Sequence, residues 1–121
     1  MGAPVVHFEI ITKNAKGIQS FYKDLFDWNI DANNPMEYGM VDTKAGKGIN
    51  GGIGGPPDET YPGHFTIYVE VDDLQKTLDK VEKLGGKTVM PPSEIPGANQ
   101  PLSIAMFTDP DGRLIGLSKG M

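Results

Sequence analysis

The sequence predicts an α+β fold in which two βαβββ modules form a curved mixed sheet around a cleft. Three observations lead to this prediction. Short β-branched runs indicate strands, apolar residues recur at helical spacing in two segments, and the same element order appears in each half of the chain. Because each module has one helix, one face of its sheet remains open, and two such faces can enclose a cleft.

The overall composition limits the classes of protein to which the chain can belong. It has 121 residues, a formal net charge of −5 and no Cys. This length favours one domain, with modules at about 4–53 and 64–119 joined by residues 54–63. An acidic chain lacks the basic surface of a nucleic-acid binder, and its apolar runs are shorter than the roughly 20 residues that span a bilayer. The chain start lacks a secretory pattern, and the absence of Cys excludes disulfides and thiolate metal sites, so we expect a cytoplasmic protein.

The first strand is predicted over Pro4–Thr12, a β-branched run. Strand alternation places Val5, His7, Glu9 and Ile11 on one face. The opposite face is wholly apolar and is expected to contact the core. A His and a Glu between apolar residues fit the wall of a cleft.

A helix follows, with Asn14 as its predicted N-cap and its end between Phe26 and Trp28. Apolar residues at positions i, i+3, i+4 and i+7 predict one buried face, formed by Ile18, Phe21, Tyr22 and Leu25. Three short strands complete the module, one beginning at Trp28 and the others at 37–42 and 49–53. The aperiodic stretch 54–63 then joins the two modules.

The second module repeats this order, beginning with a strand at His64–Val71. Asp72 and Asp73 cap a helix that Gly85-Gly86 ends, and the helix has apolar residues at helical spacing: Leu74, Leu78, Val81 and Leu84. Strands are predicted at 87–90, 102–108 and 113–118, with a loop at 91–101 and a hairpin turn at 109–112.

Six motifs occur in order along nearly the whole chain: Val5-Val6-His7-Phe8-Glu9-Ile10, Phe21-Tyr22-Lys23-Asp24-Leu25-Phe26-Asp27-Trp28, Ile49-Asn50-Gly51-Gly52-Ile53, Tyr68-Val69-Glu70-Val71-Asp72-Asp73, Leu84-Gly85-Gly86-Lys87 and Asp109-Pro110-Asp111-Gly112. As an ordered set, they resemble the vicinal oxygen chelate superfamily. This superfamily comprises glyoxalase I, bleomycin-resistance proteins, fosfomycin-resistance proteins and extradiol dioxygenases. The chain is most similar to the small, largely uncharacterised, glyoxalase-related branch.

The resemblance implies a divalent metal such as Ni, Zn, Mn or Fe, which would stabilise an enediolate or alkoxide-like species. Its His and Glu ligands would lie on the first and fourth strands of each module. His7 occupies the first of these positions. The other positions fall near Asn50 or Gly51, at Thr66 and at Gly116, and these are not usual metal ligands. The metal site of the superfamily is therefore expected to be degenerate in this chain, and the sequence assigns no cofactor to it.

Each candidate site residue also has an alternative interpretation. His7, Glu9 and His64 could hold a metal in an unusual arrangement. Alternatively, His7 is a hydrogen-bonded His of the cleft wall and His64 is a solvent-exposed loop residue. Glu9 needs a partner, since a buried carboxylate without one has a raised pKa. It is a candidate general base or, equally, a structural carboxylate.

These observations lead to three functional hypotheses. The first is a protein that binds a small molecule in the cleft without a metal, with these candidate pocket residues: His7, Glu9, Asn50, His64, Thr66 and Tyr68. Tyr38 either lines the same pocket or belongs to the core. The second is a metal-dependent lyase or dioxygenase of glyoxalase type acting on a small oxygenated substrate. The third is a metal-free isomerase or epimerase with Glu9 as its base. The resemblance also implies a homodimer, because members of the superfamily commonly pair their modules edge to edge.

Overall fold

A computed structural model describes residues 2–95 and 101–121 of the chain. Within these ranges, two α-helices and eight β-strands follow the order βαβββ–βαβββ, which confirms the predicted fold class. The elements are β1 Val5–Ile11, α1 Ala15–Phe26, β2 Asn29–Asp31, β3 Gly39–Asp42, β4 Gly51–Gly54, β5 His64–Glu70, α2 Leu74–Lys83, β6 Lys87–Glu94, β7 Ser103–Thr108 and β8 Leu114–Lys119. Neither helix in the described ranges has the length and apolar character needed to cross a membrane.

The described residues divide into two compact units. The first unit is His7–Phe65, and the second unit contains the described residues before His7 and after Phe65. A single domain built from both modules, with a cleft, stays a prediction.

The first unit has the strand order β2-β3-β4-β1. β1 runs parallel to β4, with Glu9 opposite Gly52, while the β2–β3 and β3–β4 pairs are antiparallel. Ile53 of β4 is completely buried. The side-chain amide of Gln19 donates to the Ile53 carbonyl at 2.7 Å and so ties α1 to this strand.

The face of α1 that was predicted to be buried is largely exposed. Phe21 and Leu25 are each 55% exposed, and every residue of the helix is at least partly exposed. The physical reason lies opposite the helix, where β4 has the sequence Gly-Gly-Ile-Gly and offers little side-chain surface. The aromatic rings pack against one another instead, and the ring of Tyr22 stacks on Trp28 with the ring centroids 5.6 Å apart.

The two helices are capped differently. The Asp73 carboxylate accepts a hydrogen bond from the backbone N–H of Lys76 at 2.9 Å, as expected for an N-cap. Asn14 occupies the N-cap position of α1, but it accepts through its backbone carbonyl, to which the N–H of Ile18 donates at 2.9 Å. The predicted position of this cap is therefore correct, and the Asn14 side chain makes no capping hydrogen bond.

The second unit has the strand order β5-β8-β7-β6, in which only β5 and β8 form a parallel pair. The apolar face of α2 packs on this sheet in a buried cluster that contains Leu74, Leu78, Ala105 and Leu117. Leu84 was predicted to share that face but is 69% exposed. It is the C-cap residue, one position beyond the last helical turn, where helical spacing no longer directs a side chain.

β6 is longer than predicted. It continues to Glu94 through Pro91 and Pro92, which were expected to begin a loop. The strand lies at the end of the strand order, and its pairing with β7 shifts register between Met90 and Ser93, where the two prolines lie. Proline is tolerated at such a position because it has no N–H to contribute to a regular ladder. The part of the predicted loop at 96–100 lies outside the described residues.

Candidate functional site

Five polar side chains form a continuous hydrogen-bonded chain within the first unit. We call it the Glu9 network; its members, in order of contact, are His7, Tyr38, Glu9, His64 and Tyr61. Nε2 of His7 lies 2.9 Å from the Tyr38 hydroxyl, which donates to Oε2 of Glu9 at 2.9 Å. Nε2 of His64 lies 2.8 Å from Oε1 of Glu9, and Nδ1 of His64 lies 2.5 Å from the Tyr61 hydroxyl. The Glu9 carboxylate is thus the centre of the chain.

Strand alternation places two members of the Glu9 network, His7 and Glu9, on the same face of β1. His7 and Glu9 are two residues apart on β1 and both are buried, whereas Phe8 and Ile10 on the opposite face are only half-buried. The polar face of β1 is therefore the more deeply buried one, contrary to the prediction that the apolar face contacts the core. Phe8 instead packs against the ring of Trp28.

His64 is the first residue of β5, and its side chain is 13% exposed. The alternative that it is a solvent-exposed loop residue is therefore wrong. Pairing with Glu9 supplies the physical reason, because an imidazole can be withdrawn from water when its N–H groups find acceptors.

Tyr38 reaches the network because the neighbouring strand is glycine-rich. A Cβ atom on Gly52 would collide with the hydroxyl and ring of Tyr38, and one on Gly54 would crowd the same ring. The backbone of Tyr38 is held from the other side by Asn34, which accepts from its N–H at 2.9 Å and donates to its carbonyl at 2.6 Å. The ring lies against β4 as a result, and its hydroxyl bridges His7 and Glu9.

The hydrogen bonds define where the protons lie. An ionised carboxylate only accepts hydrogen bonds. Nε2 of His64 therefore carries a proton, and this N–H donates a hydrogen bond to Glu9. The Tyr38 hydroxyl donates to Glu9, so its oxygen accepts from Nε2–H of His7. In the neutral His64 ring, Nδ1 then accepts from the Tyr61 hydroxyl.

Burial affects two titrating groups of the Glu9 network. It lowers the pKa of the His7 imidazole from its ordinary value of 6.5, and the negative charge of Glu9 opposes this change only in part. Burial also raises the pKa of the Tyr61 phenol, and the charge of Glu9 raises it further. Near neutral pH, His7 is therefore an uncharged imidazole and Tyr61 a protonated phenol.

The lowered pKa of His7 predicts a loss of stability in acid. The unfolded chain takes up a proton on His7 as the pH falls below about 6.5, while the folded protein does not until its own lower pKa is reached. The free energy of unfolding contributed by this residue therefore falls with the pH through that interval. Urea unfolding measures this effect. Between about pH 7.5 and about pH 5.5, we expect the free energy of unfolding to decrease more in the wild type than in His7→Gln. An equal decrease in both proteins would contradict the prediction.

Of the remaining predicted pocket residues, Asn50 and Thr66 form hydrogen bonds with backbone groups outside the Glu9 network. Asn50 is exposed, and its side-chain oxygen accepts from the backbone N–H of Thr43 at 3.1 Å. Thr66 and Tyr68 are buried in the second unit. The Thr66 hydroxyl donates to the carbonyl of Leu114 at 2.8 Å.

Sequence reasoning missed Tyr61. It lies in the aperiodic stretch before β5, where no alternation indicates the direction of a side chain. One available signal is its spacing of three residues from His64 across Pro62-Gly63, a dipeptide typical of a turn.

The sequence and the fold of this chain are similar to those of known proteins. The sequence profile of the Glyoxalase/Bleomycin resistance protein/Dioxygenase superfamily matches residues 5–117. The chain belongs to this superfamily. A curated relative, "Putative glyoxylase CFP32" of Mycobacterium bovis, is 30% identical over 115 residues. The match covers 90% of this chain but only 42% of the relative, and the protein of the same name from Mycobacterium tuberculosis gives the same values.

Solved structures of the superfamily share this fold. A member from Vibrio splendidus 12B01 has a TM-score of 0.68 at 16% identity, with 98% of this chain and 99% of that chain covered. Methylmalonyl-CoA epimerase from Mycobacterium tuberculosis has a TM-score of 0.67 at 14% identity, with 97% and 87% covered. The Mn(II)-bound glyoxalase from Novosphingobium aromaticivorans has a TM-score of 0.63 at 12% identity, with 95% and 37% covered. At these identities, the likeness establishes the fold.

In the part of the chain that the structure describes, the side chains do not fit the metal centre that the superfamily resemblance implies. Among residues 2–95 and 101–121, no group of three His, Cys, Asp or Glu side chains is arranged to hold a metal ion. The oxygens of Glu9 accept hydrogen bonds from Tyr38 and His64, so side-chain donors already satisfy this carboxylate. At two of the expected ligand positions there is also no room for a side chain, because a Cβ on Gly51 would meet the ring of Phe8 and one on Gly116 the ring of Tyr68.

Proposed function

We propose that this superfamily member binds a small molecule at the Glu9 network without a metal. The observation that carries the proposal is the Glu9 carboxylate, whose two oxygens accept hydrogen bonds from two different side chains while its side chain is only 12% exposed. Withdrawing a carboxylate from water costs several kcal/mol. Stability alone is therefore a weak reason to bury Glu9. Buried titrating groups with specific partners concentrate at functional sites.

The test is a fragment screen by ¹H–¹⁵N correlation NMR on the full chain, with ketones, amides, carboxylic acids and phenols as probes. We expect the resonances perturbed by binding to include His7, Glu9 and His64. Glu9→Gln should weaken binding about fivefold or more, because charged hydrogen bonds are stronger than neutral ones. Glu94→Gln, an exposed carboxylate on β6, is the matched control and should leave binding unchanged. Fragments that perturb only other surfaces would refute the proposal.

A second candidate function is metal-free proton transfer of the isomerase or epimerase type. The observation that favours it is the order Glu9–His64–Tyr61, a carboxylate, an imidazole and a phenol in direct contact. Glu9 would remove a proton from the carbon next to a carbonyl group and return it to the same or a neighbouring carbon. Because methylmalonyl-CoA epimerase shares the fold, methylmalonyl-CoA is a rational first substrate to test.

Deuterium exchange in D₂O tests this second candidate without a coupled assay. We expect the wild type to exchange the proton on C2 of methylmalonyl-CoA, and Glu9→Gln to slow the exchange by about 10²-fold or more, the usual contribution of a general base. An exchange rate equal in wild type and variant would rule out Glu9 as the base.

We also propose that the chain forms a homodimer. Support comes from the exposed apolar side chains of α1, among them Phe21, Leu25 and Phe26, which are each more than half exposed. A dimer would also approach the size of the curated relatives, of which this chain spans 42%. Light scattering should give a mass of about 26 kDa, twice the 13.1 kDa of one chain, as expected for a closed two-fold assembly. A mass equal to that of one chain would contradict the proposal.

A further inference from the structure

The Glu9 network has two ends that differ in exposure. His7 at one end is buried, with its Nε2–H occupied by Tyr38. Tyr61 at the other end is half-buried and lies in the segment between β4 and β5. A molecule arriving from solvent therefore has readier access to Tyr61 than to His7.

The Tyr61 hydroxyl can change its role according to the proton on its neighbour. While His64 is neutral, the hydroxyl donates to Nδ1. When Nδ1 carries a proton, that N–H donates to the Tyr61 oxygen, and the phenolic O–H becomes available to another acceptor. Glu9 lies 2.8 Å from the opposite nitrogen of His64, so the three groups form one continuous line of hydrogen bonds.

The segment 58–63, which contains Tyr61, is held in place by contacts at both of its ends. The Asp58 carboxylate accepts from the backbone N–H groups of Thr60 and Tyr61 at 2.9 and 3.1 Å and from the Thr60 hydroxyl at 2.5 Å. Gly63 has a φ of 108°, and a Cβ there would collide with the carbonyl oxygen of Ile11 on β1. The chain therefore passes so close to β1 that only glycine fits, and this contact positions Tyr61 beside His64.

The charge around Tyr61 is negative. Burial and then the charge of Glu9 raise the pKa of its phenol, so the hydroxyl remains a donor. Asp58 and Glu59 precede it and line an open surface depression together with Lys13 and Pro56. The carboxylates of Asp58, Glu59 and Glu9 outnumber the single ammonium group of Lys13, so a second anion is disfavoured there relative to a neutral oxygen.

We propose that the Tyr61 hydroxyl is the ligand-contacting end of a Glu9–His64–Tyr61 relay, and that the ligand presents to it the neutral carbonyl oxygen of a ketone or amide. This inference rests on the small-molecule site proposed above and names the class of compound and the residue that recognises it. His64 is then a positioning residue, which acts on the ligand through Tyr61.

Tyr61→Phe tests the inference, since it removes the hydroxyl and keeps the ring that meets His64 edge-on. Tyr22→Phe is the matched control, because the same atom is removed from a ring that stacks on Trp28 outside the Glu9 network. The probes are benzamide and benzoate, which have similar shapes but differ in charge. Binding is followed by the backbone resonances of residues 61–64 and by the ¹⁵N shifts of the His64 ring, which report the proton on Nδ1.

We expect benzamide to bind the wild type and Tyr22→Phe equally, and Tyr61→Phe about fivefold more weakly, as for the loss of one neutral hydrogen bond. Benzamide should also change the ¹⁵N chemical shift of His64 Nδ1 in the wild type. A purely structural role of Tyr61 would not produce this change. Tighter binding of benzoate, or equal binding of benzamide to wild type and Tyr61→Phe, would overturn the inference while leaving the proposed site intact. If neither these probes nor the wider fragment set perturbs the Glu9 network, the proposed function fails together with the inference.

Discussion

Replacement of Glu9 by alanine is expected to lower the free energy of unfolding by about 3 kcal/mol, the scale for leaving two buried hydrogen-bond donors without their acceptor. The carboxylate accepts from Tyr38 at 2.9 Å and from His64 at 2.8 Å. Alanine would leave both donors without this acceptor in a largely dry environment, and each would lose the compensation for its own burial. The single tryptophan, Trp28, lies in the same unit and allows urea unfolding to be followed by fluorescence.

Two further variants separate the causes of this loss. Glu9→Gln keeps the shape and one accepting oxygen, so we expect about half the effect, since one of the two donors retains a partner. Glu94→Ala removes an exposed carboxylate and should change stability by about 0.5 kcal/mol or less. If Glu9→Ala is as stable to urea as Glu94→Ala, the Glu9 network contributes nothing to the stability of the fold, and the prediction is wrong.

The candidate site could be predicted from the sequence only where its residues lie on regular strands. The period of two in β1 placed His7 and Glu9 on the same face before any coordinates were needed. Their partners depended on tertiary contacts that leave no local pattern. Tyr38 reaches Glu9 because β4 is glycine-rich, and Tyr61 reaches His64 because Gly63 passes against Ile11.

The helices show the same division between local and tertiary information. Helical spacing in α1 correctly indicated where a helix forms, since spacing is a property of the chain itself. Burial of the apolar face also requires side chains on the opposing strand, and the Gly-Gly-Ile-Gly sequence of β4 does not provide them. Phe21 and Leu25 therefore remain exposed despite an amphipathic pattern that favours burial. A periodic pattern identifies the apolar face of a helix. The side chains of the opposing strand determine how deeply that face is buried.

Leu78→Ala and Leu84→Ala make this distinction measurable in α2. Both leucines belong to one predicted apolar stripe, yet Leu78 is 1% exposed and Leu84 is 69% exposed. Leu78 packs in the cluster with Leu74, Ala105 and Leu117, so its truncation leaves a cavity and should cost about 2–5 kcal/mol in the free energy of unfolding.

Leu84 lies at the C-cap, where alanine removes side chain that is already in water, and we expect a change of about 0.5 kcal/mol or less. Chemical denaturation of the two variants under identical conditions measures the difference. Because both substitutions remove the same atoms, the difference between the two variants measures the hydrophobic burial and the packing that are lost at Leu78 alone. Similar losses at both positions would mean that the stripe is buried along its whole length, as the periodicity alone predicts, and that Leu84 at the end of α2 is packed and not exposed.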